Sequence, residues 1–256
     1  MEYVEVTEIS GDSVSREQIQ RMYTRYHFAR QFCDGKDVLE VACGSGQGLG
    51  YLAKKARMVV GGDYSVALLK MAQSHYRGRI PLVRLDGHAL PFTEKSFDVV
   101  ILYEAIYYLE KPESFIEECM RVLRPGGVVL ICNPNKDLPD FNPSPYSYRY
   151  FSPCDFMNLL TPYGLRSECY GDCKVDYGSL KQRIFSLLKK TMVNLHLMPK
   201  TMAGKKVFKR IVFGKLVPMP PELTDEKSNY PLPSPLDPCK PDKCHKVIFA
   251  LAKKLK

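Results

Sequence analysis

The stretch VLEVACGSGQGLGYLAKK, residues 38–55, decides the fold. It opens on a short apolar strand, turns through Gly44, Gly46 and Gly48, and continues as a helical run over 47–55. A strand that ends in a glycine turn and feeds a helix is a cofactor-binding device. Glycine lets the backbone approach a ligand closely, and a helix N-terminus offers N–H groups that have no intrahelical partner. Upstream, residues 14–32 set Met22, Tyr26 and Ala29 three to four apart, which predicts an N-terminal helix. Downstream, 58–62 reads as a second strand, 65–76 as a helix, and Ile80–Leu85 as a third strand. FDVVIL (97–102) is a fourth strand, a continuous apolar run typical of a strand covered on both faces. A helix over 112–123 carries Pro112 in its first turn, and Pro125-Gly126-Gly127 leads into a fifth strand, 127–132. Ser152-Pro153-Cys154-Asp155 reads as a capped helix start, Leu165–Tyr170 as a sixth strand, and Lys246–Ala252 as the last. Strands alternating with helices imply an α/β protein with a doubly wound, mostly parallel sheet.

Composition bounds the rest. The chain has 256 residues, 45% hydrophobic and 25% charged, which fits one large folded domain with an appendage and excludes wholesale disorder. The glycines and prolines show no three-residue period, which excludes collagen. No uncharged apolar stretch reaches the roughly 18–20 residues that span a bilayer. The acidic start, MEYVEVTEIS, lacks the apolar core of a signal peptide, so a cytoplasmic protein is expected. The nine cysteines are odd in number and several, such as Cys43 and Cys132, sit in apolar runs, so most are expected as reduced, buried thiols. Cys239, Cys244 and His245 offer only three ligands at unusual spacing, and no metal site is expected.

Two ligands compete for the glycine turn. The dinucleotide fingerprint is G-x-G-x-x-G, but from Gly44 this chain reads G-S-G-Q-G-L, with the third glycine one place early. Glu40 stands in the strand before the turn. A carboxylate there repels a pyrophosphate and suits a ligand that carries an ammonium group. S-adenosylmethionine carries an ammonium and a sulfonium and no phosphate, so charge matching favours it. Asp63, at the end of the second strand, suits two ribose hydroxyls. Asp86, after the third strand, suits an adenine amino group, with the backbone N–H groups of Gly87 and His88 reaching ring nitrogens. These acids fall at the carboxyl ends of successive strands, where open α/β sheets bind ligands.

On these residues the sequence resembles the class I (seven-strand, Rossmann-like) S-adenosylmethionine-dependent methyltransferases of the small-molecule acceptor type. The matching segments are VLEVACGSGQG (38–48), GGDYS (61–65), LDGHALPF (85–92), SFDVVILYEAIYYL (96–109), RVLRPGG (121–127) and YFSPCDFMNLLTPYGL (150–165). The resemblance implies a seven-stranded sheet with an antiparallel last strand and a cofactor-binding domain over 36–170 plus 246–256. An N-terminal helical cap, 1–35, and an insertion, 171–245, flank that domain. It also implies that Glu40 faces the methionine amino group, that Asp63 holds the ribose and that Asp86 holds the adenine amino group. Ala42, Gly44, Gly46, Tyr64, Gly87, His88 and Tyr103 complete the expected cofactor site. Two departures stand out: Ala42 replaces the family's first glycine, and Tyr107-Tyr108 stands where small-molecule members often carry His-His.

Methyl transfer is an in-line displacement with a good neutral leaving group, so the protein mainly orients and desolvates the reactants. A base is needed only where the acceptor must lose a proton early. Glu104, Tyr107 and His27 are the candidate catalytic residues, the first two beside the fourth strand and the third on the N-terminal helix. Tyr146, Tyr148 and Tyr150 lie in a proline-rich lid, 134–153, and are candidates to line an acceptor pocket.

The net charge of +9 is carried by one segment: Tyr177 to Pro221 has ten Lys and Arg and no acid. Its first part reads as amphipathic helix and its second, 218–241, as irregular. A lid with a solvated basic face and a peripheral membrane contact through 179–216 both fit; nucleic acid fits less well, since no stacking aromatics alternate with the charge. The expected acceptor is a small molecule or a lipid-linked one, methylated at oxygen, nitrogen or carbon. A nicotinamide-dependent oxidoreductase, a non-catalytic membrane-surface binding protein and an aminopropyl transferase remain alternatives.

Overall fold

Asp37–Val41 (β2) and Phe97–Tyr103 (β5) are apolar toward both faces, and both lie deep within the sheet of the computed structural model. The structure describes residues 3–175, 216–224 and 230–255. The sheet continues through β3 (Met58–Asp63), β4 (Leu82–Arg84), β6 (Leu123–Pro134), β7 (Arg166–Lys174) and β10 (His245–Lys253). Two short strands, β1 (Ser13–Val14) and β8 (Val217–Pro218), form a separate ribbon, and β9 (Ser234–Leu236) is an edge strand. The helices are α1 (Arg16–Arg30), α2 (Leu49–Ala53), α3 (Val66–Tyr76), α4 (Pro112–Val122) and α5 (Pro153–Leu160).

The main sheet runs in the order β4-β3-β2-β5-β6-β10-β7-β9. β4, β3, β2, β5 and β6 pair in parallel, while β10 is antiparallel to both β6 and β7. The expected strands are all present, with the antiparallel last strand wedged between the fifth and sixth. Successive residues of a strand face opposite sides, and the core divides accordingly. Leu39, Val41, Val100, Leu102 and Ile131 pack with Phe115 of α4 and Phe156 of α5. Val38, Val99, Ile101 and Leu130 pack with Tyr26 of α1, Leu52 of α2 and Tyr76 of α3. Ser15 with Gln18, and Ser152 with Asp155, form reciprocal capping boxes that start α1 and α5; the second stands where the sequence places it.

The segment expected to be irregular, 218–241, contains β9, a correction to the sequence reading. Pro235 opposes Tyr170 of β7 and lies on the sheet's outer edge, the position where a strand tolerates a residue without an N–H. The ribbon is a second addition: Ser13 and Val14 pair with Pro218 and Val217, and Gly11 donates its N–H to Met219 O at 2.9 Å. The amphipathic reading of 179–216 falls outside the described residues except for Leu216. All nine cysteines are free thiols, five of them buried. Among the described residues, no helix is long and apolar enough to cross a membrane.

Candidate active site

Parallel strands end on one rim, and the functional side chains collect there. β2 leaves the sheet through a turn held by positive φ angles: 57° at Ala42, 60° at Gly44 and 85° at Gly46. At Gly46 a Cβ would stand 2.9 Å from the Tyr76 ring, so only glycine fits. Tyr76 fastens the turn from below, donating to Gly46 O at 2.6 Å and accepting from Gly50 N at 3.0 Å. Ala42 adopts a left-handed conformation that costs an L-residue about 1–2 kcal/mol.

Asp63, 5% exposed, joins the end of β3 to this turn. Gly44 N–H donates to its Oδ2 and Ser65 N–H to its Oδ1, both at 2.8 Å. Burial pushes its carboxyl up, and these backbone donors pull it back. Each oxygen retains a lone pair for a further donor.

Glu40, 2% exposed, is the most isolated acid of the rim. The Tyr26 hydroxyl of α1 donates to its Oε1 at 2.5 Å, while Oε2 is buried without a partner among the described residues. Burial pushes this carboxyl up to about 8, against the pull of Tyr26 and Arg25. An unsatisfied buried carboxylate oxygen is costly, and a cationic ligand satisfies it. The orphaned oxygen, the glycine turn and Asp63 together fit a ligand with an ammonium group and a ribose.

The third glycine has a different office. A Cβ on Gly48 would lie 1.8 Å from the Tyr26 ring, so the bare position lets α1 settle over the turn. The segment before α1 adds to this cover. Gln47 Nε2 donates to Glu8 O at 2.8 Å, and Thr7 Cγ2 stands 3.3 Å from where a Gly44 Cβ would be. From the other side Leu223 N–H donates to Gln47 O at 2.8 Å, and Glu222 binds His75 at 2.7 Å and Arg79 at 2.9 Å.

Asp86 lies farther along the rim, its side chain 49% exposed. Its Oδ1 accepts from both the backbone N–H and the ring Nδ1 of His88, at 2.9 and 2.7 Å. Burial pushes the Asp86 carboxyl up, but the His88 contacts outweigh it and hold the group low. The backbone N–H and the ring of His88 thus both hold the Asp86 carboxylate. Gly87 has Leu109 3.3 Å from its would-be Cβ. Tyr64, 47% exposed, lies under the Arg84 guanidinium at 5.6 Å. Tyr103 is 6% exposed, its ring edge-on to Tyr26 at 5.9 Å, and its buried hydroxyl has no partner among the described residues.

Glu104 follows β5 with φ 54°. Its Oε1 is 3.6 Å from Arg25 Nη1, and its Oε2 accepts from the Tyr107 hydroxyl at 3.3 Å. Burial pushes Glu104 up, and Arg25 and then Arg21 draw it down. Tyr107 stacks on Tyr150 of the lid at 4.4 Å, whereas Tyr148 is 61% exposed. His27 does not join this group. Its Nδ1 lies 3.2 Å from the Tyr51 hydroxyl of α2, because one residue past Tyr26 turns the side chain about 100° round the helix. Arg25 and Arg21 were not singled out by the sequence reading; their four-residue spacing beside Met22 and Tyr26 was the available signal. His245, of the rejected metal set, has Nδ1 3.0 Å from Asp242, and no group of three or more metal-type ligands forms among the described residues.

Residues 39–131 match the family model described as a methyltransferase domain. Over these residues the chain carries a methyltransferase domain. The domain is 37% identical over 145 residues to a probable S-adenosylmethionine-dependent methyltransferase of Mycolicibacterium smegmatis, covering 53% of this chain and 54% of the relative. It is 41% identical over 99 residues to phthiotriol/phenolphthiotriol dimycocerosates methyltransferase 1 of Mycobacterium ulcerans, covering 38% of this chain and 36% of the relative. The methyltransferase domain thus matches at most about half the length of these relatives, 54% of the first. In fold it is similar to the YcgJ protein of Bacillus subtilis, with a TM-score of 0.58 at 15% identity over 92% of this chain and 99% of that one. The domain's cofactor is S-adenosylmethionine, and the rim fits it.

Proposed function

We propose that the chain transfers the methyl group of S-adenosylmethionine to oxygen, nitrogen or carbon of a small-molecule or lipid-linked acceptor. The observation that carries this reading is the unpartnered Oε2 of Glu40, buried beside the glycine turn. When bound, the cofactor supplies an electrophilic methyl on a sulfonium. Glu40, steadied by Tyr26, would receive the ammonium group. Asp63 would accept from the ribose hydroxyls, and Asp86 from the adenine amino group through the oxygen that His88 leaves open. Ala42, Gly44 and Gly46 bring the backbone close, while Tyr64, Gly87 and Tyr103 flank the nucleoside and the reacting end.

Glu104 is the residue to take a proton from an acceptor that must lose one. Arg25 and Tyr107 hold it on both oxygens. The cap of α1 and Tyr150 of the lid exclude water, which strengthens these contacts. His27 faces away from this group and takes no part. A relative named for phthiotriol and phenolphthiotriol dimycocerosates supports the lipid-linked option. The ten basic residues between Tyr177 and Pro221 support a cytoplasmic protein that meets an anionic membrane surface.

Titration calorimetry with S-adenosylhomocysteine tests the cofactor half: absence of binding, with NADH bound instead, sinks the reading. Incubation with methyl-labelled S-adenosylmethionine and fractionated extract, followed by mass spectrometry, tests transfer and identifies the acceptor. Co-sedimentation with anionic liposomes, with and without 179–216, tests membrane contact.

A further inference from the structure

A cavity of about 420 Å³ opens on the same rim, beyond Glu104, between α1 and the ends of β7 and β10. Its wall includes Glu17 and Arg21 of α1, Asp172 and Lys174 of β7, Leu232, and His245 at the start of β10. None of these residues belongs to the cofactor site.

The charges of the cavity are unevenly satisfied. Glu17 is neutralised by Lys246 Nζ at 2.5 Å. Asp172 is buried and has Arg21, Arg25 and His245 as favourable charge neighbours. His245 is 6% exposed, with its ring fixed by Asp242, and its Nε2 is buried without a partner among the described residues. Arg21 has no side-chain hydrogen bond or ion pair among the described residues, and its Nε is a buried, unpartnered donor. Lys174, exposed at the mouth, is likewise without an ion pair among them. The segment after Lys174 carries ten basic residues and no acid between Tyr177 and Pro221. Arg21 shares its charge with Asp172 and Glu17, yet its Nε donates to nothing in this cavity, and a guanidinium with an open donor can take an oxyanion, which its planar fork binds in bidentate fashion. Leu232, 50% exposed at the lip, offers apolar surface beside that charge. Arg21 also lies one helical turn from Arg25, which contacts Glu104, so the cavity continues the face on which the acceptor is to react.

We propose that this cavity is the acceptor's recognition site and that Arg21 binds an oxyanion of the acceptor, a carboxylate or a phosphate attached to an apolar body. The proposal rests on the methyl-transfer reading above. His245 is a positioning residue that closes the inner wall, and Lys174 adds to the field at the mouth.

The test titrates the full chain, saturated with S-adenosylhomocysteine, with hexanoate, hexyl phosphate and inorganic phosphate, using hexanol and hexyltrimethylammonium as controls. Hexanoate or hexyl phosphate is expected to bind at least tenfold more tightly than either control. Arg21→Gln should weaken that binding at least tenfold, Arg21→Lys should restore part of it, and Lys174→Gln should weaken it two- to threefold. S-adenosylhomocysteine affinity should stay unchanged in all three variants, which also reports that they fold. Hexanol binding equally well, or anion affinity unaffected by Arg21→Gln, overturns the proposal. Inorganic phosphate binding as tightly as hexyl phosphate also overturns it, by assigning the cavity to a free anion. Failure to bind S-adenosylhomocysteine refutes the methyl-transfer reading instead, whereas its binding without any of the anions refutes this proposal alone.

Discussion

The two halves of the rim are built differently. On the cofactor side, over β2 and β3, the parts are backbone: positive φ angles, bare glycines, and an Asp63 carboxylate tied to two N–H groups. On the side proposed for the acceptor, over β5 to β7, the parts are long side chains from separate segments, with Arg25 of α1 meeting Glu104 and Tyr150 of the lid meeting Tyr107. A site for one fixed ligand can be made of rigid turns. A site whose ligand varies between proteins is better made of side chains, which change without disturbing the fold.

The largest effect is expected from Asp63→Ala. Loss of two charge-assisted bonds to ribose, each worth about 1.5–3 kcal/mol, should weaken S-adenosylhomocysteine binding on the order of 100-fold or more by calorimetry. The freed N–H groups of Gly44 and Ser65 should also lower the melting temperature. Next comes Arg25→Gln, which strands Glu104 and should cost about 3 kcal/mol of stability in denaturant titration. That loss should grow as pH rises, because the unfolded chain ionises Glu104 freely while the folded chain has lost the partner that tolerates its charge. Cofactor affinity should move far less than in Asp63→Ala; an equal loss would erase the distinction between the halves.

Gly48→Ala tests the cofactor half through its cover, since it drives a Cβ into the ring of Tyr26, whose hydroxyl holds Glu40. A cost of about 1–3 kcal/mol is expected from overpacking, read as a lower melting temperature and faster cofactor release. Glu40 supplies a pH test. Its folded pKa rises from 4.5 to about 8, so the folded state holds the extra proton across that window. Wild-type stability should therefore fall as pH climbs from about 4.5 to 8, and Glu40→Gln should flatten that slope. Binding of the ammonium-bearing cofactor favours ionised Glu40, so affinity should rise toward pH 8 in the wild type and much less in the variant. The smallest effect belongs to Tyr26→Phe, about 1 kcal/mol for one hydrogen bond, seen as a modest rise in the Kd for S-adenosylhomocysteine.

How well each half was legible in the sequence follows from the same contrast. Glu40, Gly44, Gly46, Asp63 and Asp86 are local features of strand ends, and strand ends are set by short apolar runs. Their placement on one rim follows once the sheet is parallel. Arg21, Arg25 and the Gly48–Tyr26 contact depend on how α1 crosses the sheet, and helix periodicity alone does not fix that angle. The direction of His27 was hidden for the same reason: its neighbour Tyr26 faces the glycine turn, and a rotation of about 100° per residue sends the imidazole to Tyr51. Within β9, Pro235 hid a strand, since proline argues against pairing everywhere except at an edge. His88 was half legible: Asp86-Gly87-His88 marks a turn, but only the structure shows the ring closing back on the acid.

The ribbon of β1 and β8 has a consequence for the integrity of the molecule. A protease cut between 176 and 215 would leave two polypeptides, yet the C-terminal piece would still be clasped through β8 to β1 and through β10 to both β6 and β7. Nicked protein should therefore elute as a single particle and come apart only in denaturant. The two pieces, made separately, should reassemble when mixed.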